Sequence, residues 1–105
     1  MGNFPAKYHA LLEIIGLGET RKQFQLAEED VVMGHTIDCE VQLSIENVSR
    51  RHALISFRNE ECHVKDLGST NVTFVNGIKV EKCILRNQDQ IEIAGVKIIF
   101  KDEEA

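Results

Sequence analysis

The chain lacks most of the features that would mark it as an enzyme, a metalloprotein or a membrane protein. It has one proline, Pro5, and three cysteines, Cys39, Cys62 and Cys83, with no CxxC pair among them. An odd, widely spaced set of cysteines is not a disulfide framework, and without paired cysteines a zinc site has no foundation. Reduced thiols in a cytoplasmic protein are the expectation. Four histidines, His9, His35, His52 and His63, follow no metal-ligand spacing, so neither metal nor cofactor is expected. There is no GxxxxGK loop, no HExxH and no paired-carboxylate spacing. Cys62 and His63 adjoin, but neighbours on a strand point to opposite faces and cannot form a catalytic dyad. No enzymatic activity is expected.

Long apolar runs are also missing. Leu11 to Ile15 is too short for the hydrophobic core of a signal peptide, and no stretch approaches a membrane span. Gly2 follows Met1, but Ala6 stands where a myristoylation motif needs Ser or Thr. The formal net charge of -5 gives no large cationic surface, which argues against nucleic acid and anionic membrane as partners.

What the chain does have is alternation. Lys22-Gln23-Phe24-Gln25-Leu26, Val41-Gln42-Leu43-Ser44-Ile45, Ala53 with Ile55 and Phe57, Cys62 with Val64, Gln90-Ile91-Glu92-Ile93 and Val96-Lys97-Ile98 all alternate polar and apolar. Period two predicts strands with one buried face. Turn signals separate them: Gly16-Leu17-Gly18-Glu19, Asn59-Glu60, Asn76-Gly77, and Asn87-Gln88-Asp89 with Ala94-Gly95 closing the later hairpins. The pattern predicts an all-β sandwich within 105 residues, a length for one domain.

Two polar segments break the rhythm, Ile45 to His52 and Leu67 to Val72. Loops at one end of a sandwich cluster, and binding usually resides there. A phosphate ester carries three acceptor oxygens and about -1.5 to -2 charges at neutral pH. Ser49 and Thr70 offer hydroxyls, Arg50 and Arg51 guanidinium forks, and Asn71 an amide that both donates and accepts. The same residue types serve equally well as ordinary turn formers and solvated charges.

Three pieces taken together carry a resemblance: Val32-Met33-Gly34-His35, Val48-Ser49-Arg50-Arg51-His52-Ala53, and Asp66-Leu67-Gly68-Ser69-Thr70-Asn71-Val72-Thr73-Phe74-Val75-Asn76-Gly77. In order and spacing they resemble the forkhead-associated (FHA) family, from about Leu11 to Phe100. The resemblance implies a sandwich of about eleven strands in two mostly antiparallel sheets, with binding loops at one end. It also implies recognition of threonine-phosphorylated peptides or proteins. Ser49 and Thr70 would bond the phosphate, Arg50 would contact phosphate or peptide, Asn71 would grip the peptide backbone, and Arg51 would steer the peptide. Gly34, His52, Gly68, Ser69, Asn76 and Gly77 would be structural, with His52 bracing the loop from below.

Two positions depart from the family pattern. His35 stands where the family usually has Arg, a principal phosphate contact, and Val72 where it usually has Gly. A histidine is a shorter donor than an arginine. A β-branched residue disfavours positive φ, so the loop is expected to differ in shape just after Asn71. The alternative reading is a degenerate FHA domain that binds its partner without phosphate. The expected boundaries are an FHA domain at 8–101, an N-terminal extension at 1–7, and a tail or linker start at 102–105, within a larger multidomain protein.

Overall fold

The computed structural model describes residues 10–16 and 21–102. Eleven strands follow in chain order. They are β1 (Ala10–Ile15), β2 (Lys22–Leu26), β3 (Val31–Gly34), β4 (Val41–Gln42), β5 (Ala53–Arg58), β6 (Glu61–Asp66), β7 (Thr73–Val75), β8 (Ile78–Val80), β9 (Lys82–Leu85), β10 (Gln90–Ile93) and β11 (Val96–Asp102). Among the described residues there is no helix, and so none long and apolar enough to cross a membrane.

The strands form two sheets. One has six strands in the order β2-β1-β11-β10-β7-β8, the other five in the order β4-β3-β5-β6-β9. Every pairing described is antiparallel except β3 with β4, which is parallel. The alternating residues decide which face is buried. Leu12 and Ile14, Ile91 and Ile93, and Ile98 and Phe100 line the inner face of the larger sheet; Met33, Ile55 and Val64 answer from the smaller. Full burial of each such side chain contributes about 1.5–3 kcal/mol, so the alternation alone holds the register against a one-residue slip.

Three connections are two-residue turns with positive φ at both positions: Asn59-Glu60 (57° and 65°), Asn76-Gly77 (52° and 84°) and Ala94-Gly95 (50° and 86°). Such turns match the right-handed twist of the strands that they join.

Some expectations need correction. Val41 to Ile45 alternates in burial, but only Val41–Gln42 is strand. Just beyond it Leu43 N still donates to Gly34 O of β3 at 2.7 Å, and then the backbone bonds locally, Ile45 N to Leu43 O at 2.9 Å and Val48 N to Ile45 O at 3.2 Å, and the ladder stops. Asn87-Gln88-Asp89 closes no hairpin: β9 pairs with β6, whereas β10 pairs with β11 and β7, so this turn carries the chain from one sheet to the other. Asp102, assigned from the sequence to the tail, ends β11 opposite Ala10. The extension at 1–7, His9, Leu17-Gly18-Glu19 and residues 103–105 lie outside the described residues.

Candidate functional site

Three loops meet at one end of the sandwich: β3–β4 (residues 35–40), β4–β5 (43–52) and β6–β7 (67–72). Backbone bonds tie the first to the second, His35 N to Ser49 O at 3.0 Å and Thr36 N to Arg50 O at 3.5 Å. Gly34 is buried at the end of β3, its backbone packed against that of Arg50 and Arg51. The second loop is tied to the third by side chains. Thr70 N donates to Ser49 Oγ at 3.1 Å, and Asn71 Nδ2 donates to Asn47 O at 2.8 Å.

His52 joins all of this from beneath and is fully buried. Its Nδ1 accepts from Ser49 N at 3.1 Å, which requires the ring hydrogen on Nε2, and Nε2–H donates to Val72 O at 2.9 Å. Its own N–H donates to Met33 O at 2.8 Å, and its C=O accepts from Leu67 N at 2.9 Å. One residue therefore fixes β3 and the β4–β5 and β6–β7 loops with every polar group satisfied, as burial demands.

The third loop has its own anchor, which sequence reasoning did not single out. The Asp66 carboxylate accepts from Gly68 N (3.0 Å), Ser69 N (3.0 Å), Ser69 Oγ and Thr73 Oγ1 (2.8 Å). Partial burial pushes its carboxyl up, but the Ser69 and Thr73 hydroxyls, with the N–H groups of Ser69 and Gly68, prevail and hold it below the usual aspartate value. Gly68 takes a φ of 76°, which the Asx-type turn over Asp66 needs. The signal was present in Asp-Leu-Gly-Ser, where an aspartate precedes a glycine and a hydroxyl residue.

The candidate binding groups are arranged around this frame. Ser49 Oγ accepts from Thr70, which leaves its hydroxyl hydrogen able to donate. Thr70 and Asn71 are exposed, and Asn71, with one amide hydrogen engaged, keeps Oδ1 open to accept. Arg50 is exposed and, among the described residues, pairs with no carboxylate. Arg51 lies 3.9 Å from Asp38 on the β3–β4 loop, with both side chains exposed, a contact of little energetic weight. The exposed His35 directs Nδ1 to the Ile45 carbonyl at 3.1 Å. Asn76 and Gly77 sit in the β7–β8 turn, where Asn76 bonds Asp89 and Gln90, apart from these loops. Cys39, buried beneath the β3–β4 loop, donates from Sγ to Arg50 O at 3.2 Å.

Val72 does not avoid positive φ: it takes φ 46°, the left-handed conformation that a glycine reaches freely, so the side chain is accommodated at a cost in strain.

Among the described residues no group of three His, Cys, Asp or Glu could hold a metal ion. The cluster offers two hydroxyls, a guanidinium and an amide on a hydrogen-bonded frame, a donor array suited to an oxyanion on an extended chain.

Comparison with known proteins agrees with this geometry. The model of the FHA domain matches residues 31–94. The chain is similar to the glycogen accumulation regulator GarA of Mycobacterium tuberculosis, 35% identical over 78 residues, which are 74% of this chain and 48% of the relative. It thus spans about half the length of that curated relative. Among solved structures, one FHA domain described for phosphothreonine-dependent interactions superposes with a TM-score of 0.85 and 28% identity, covering 92% of this chain and 99% of the other. The FHA domain of FhaA, solved in complex with the intracellular domain of Rv3910, gives 0.80 and 29%, covering 88% and 99%.

Proposed function

The chain belongs to the FHA domain family, and from that premise we propose that it is a recognition module for threonine-phosphorylated peptides, acting through its three-loop end. The observation that carries this reading is the Thr70 N to Ser49 Oγ bond. It joins the Ser49 hydroxyl to the backbone of Thr70, 21 residues on in sequence, and Ser49 is next in the chain to Arg50, which pairs with no carboxylate among the described residues. Ser49 and Thr70 bond the phosphate, Arg50 supplies charge, Asn71 Oδ1 accepts from the peptide backbone, and Arg51 steers the flanking residues.

The mechanism is passive. A kinase elsewhere modifies the threonine, the peptide docks on preformed donors, and the module draws its parent protein to the target without catalysis, cofactor or metal. A multidomain parent fits the relatives' greater length, and a cytoplasmic, reducing location suits three free cysteines. Neither nucleic acid nor membrane is part of the reading. The domain is assigned the boundaries 8–102, its C-terminal limit moved from 101 to take in Asp102 as the closing strand residue.

The test is a titration with one peptide in phosphothreonine, phosphoserine and unphosphorylated forms, repeated on Thr70→Ala and Arg50→Ala. The phosphothreonine form binds the parent domain best, and each variant weakens it about tenfold or more, the loss of a charge-assisted hydrogen bond. Equal binding of all three forms, unchanged in both variants, would establish a degenerate FHA domain. The specific observation favouring that second reading is His35, whose ring is already engaged with a carbonyl.

A further inference from the structure

We infer that His35 makes phosphopeptide binding proton-linked: the loaded site holds one proton between His35 Nε2 and a phosphate oxygen, and affinity falls as pH rises above neutrality. This rests on the phosphate-binding reading above.

The geometry around His35 restricts what its ring can offer. The backbone is held on both sides, its N–H to Ser49 O at 3.0 Å and its C=O by Gln42 Nε2 at 3.2 Å. Nδ1 lies 3.1 Å from Ile45 O. A carbonyl oxygen only accepts, so Nδ1 carries a hydrogen. In the neutral ring that leaves Nε2 with a lone pair and no hydrogen.

A phosphothreonine dianion presents only acceptor oxygens. Against a bare Nε2 it would meet acceptor with acceptor. Two pairings are complementary: an imidazolium with the dianion, or a neutral imidazole with the monoanion, whose P–OH donates to Nε2. Both contain the same number of protons, one more than neutral ring plus dianion. Binding above neutral pH therefore takes one proton from solvent, and release returns it. The only covalent bond made on binding and broken on release is the Nε2–H or phosphate O–H bond of that proton.

An arginine at this position stays protonated and takes up nothing. It favours the dianion, so its affinity rises with pH through the phosphate's second ionisation near ~6. The histidine site has the opposite slope. The other charged residues of the loops that meet here are Asp38 and Glu40 on its own loop, where Glu40 accepts from Val32 N at 2.8 Å and Asp38 lies 3.9 Å from Arg51, and Glu46, Arg50 and Arg51 on the β4–β5 loop; 67–72 contribute none. Carboxylates and guanidiniums as classes do not titrate between about pH 6.5 and 8.5, so they supply a constant field. His52 is buried with both ring nitrogens occupied.

The experiment is calorimetric titration with a phosphothreonine peptide at about pH 6.5, 7.5 and 8.5, in buffers of different ionisation enthalpy, on the parent domain, His35→Arg and His35→Gln. For the parent, Kd rises towards about tenfold per pH unit at the alkaline end, with uptake approaching one proton per complex. Both variants show no such rise, and His35→Arg binds more tightly than the parent at the alkaline end. A flat parent Kd with no proton uptake, while binding still needs phosphate and Thr70, overturns the proposal and leaves the reading of the site intact. A parent slope retained in His35→Gln assigns the proton to another group and also overturns it. Binding indifferent to phosphate at every pH removes both.

Discussion

Gly34 and Arg50 stand so close that a Cβ on Gly34 would lie 2.1 Å from the Arg50 carbonyl oxygen, 2.8 Å from its carbon and 2.9 Å from Arg51 Cα. No turn conformation is at issue; the glycine lets strand and loop backbones touch. The atoms in the way are backbone, so they cannot yield as a side-chain tip would. Gly34→Ala is expected to destabilise the domain by about 3 kcal/mol, the upper part of the range for overpacking, and to displace Arg50. Urea denaturation checks the first effect and peptide titration the second. A variant as stable as its parent would show that the loop moves freely from β3.

His52 ties Ser49 to Val72 through opposite ring nitrogens. His52→Ala leaves the part-buried Ser49 N–H and Val72 C=O without their ring partner and opens a cavity, for a loss of about 3 kcal/mol. Amide exchange should quicken in both β4–β5 and β6–β7 loops, although their residues are far apart in sequence. Exchange that quickens in only one loop contradicts the bridging role.

Asp66 gives a dependence on pH. Its folded-state carboxyl lies below the usual value, so its contribution is fully present above the unfolded value of about 3.9 and is lost as pH falls through the folded one. At neutral pH, Asp66→Asn should cost about 1–3 kcal/mol, because its amide cannot accept from all four donors. The gap between parent and variant should narrow on acidification below about pH 4. A gap that stays constant down to about pH 3 would mean that ionisation at Asp66 is irrelevant to the loop.

Val72 supplies a substitution in the stabilising direction. A left-handed conformation costs a non-glycine residue about 1–2 kcal/mol, and the greater unfolded-state entropy of glycine returns about 0.5–1 kcal/mol of that. Val72→Gly should therefore be about 0.5–1 kcal/mol more stable, with peptide affinity unchanged. Thermal melting decides it. A clear loss of stability would show that the half-buried Val72 side chain packs for more than its strain.

These particulars show where sequence reading works and where it stops. The alternation of Gln90 to Ile93 or of Cys62 to Val64 is local, and one buried face translates it directly into strand. Asn76-Gly77 is legible because positive φ is a property of those two residue types. The Ser49 and Thr70 blocks were readable as polar interruptions, and their order carried the family resemblance. Local pattern could not say that Val41 to Ile45 keeps its burial alternation while losing its ladder, since a strand needs a partner that the segment does not encode. Nor could it show that Asn87 to Asp89 changes sheets. The reason for Gly34 lies in Arg50, and that for His52 in Val72, contacts that exist only after the chain has folded back on itself.

The register of β1 on β11 has one more consequence. Ala10 faces Asp102 across an antiparallel pair, where partner Cα atoms lie about 4.5–5.5 Å apart. The pairings of Ile15 with Lys97, Ile93 with Val96 and Ile91 with Val75 place this junction at the end of the sheet away from Thr73 and the three loops. A unit whose first and last strands have their free ends side by side can be spliced into a surface turn of a host protein as one excursion of its chain. Grafted there through Ala10 and Asp102, it would present its reading end outward like a plug with both wires at the back.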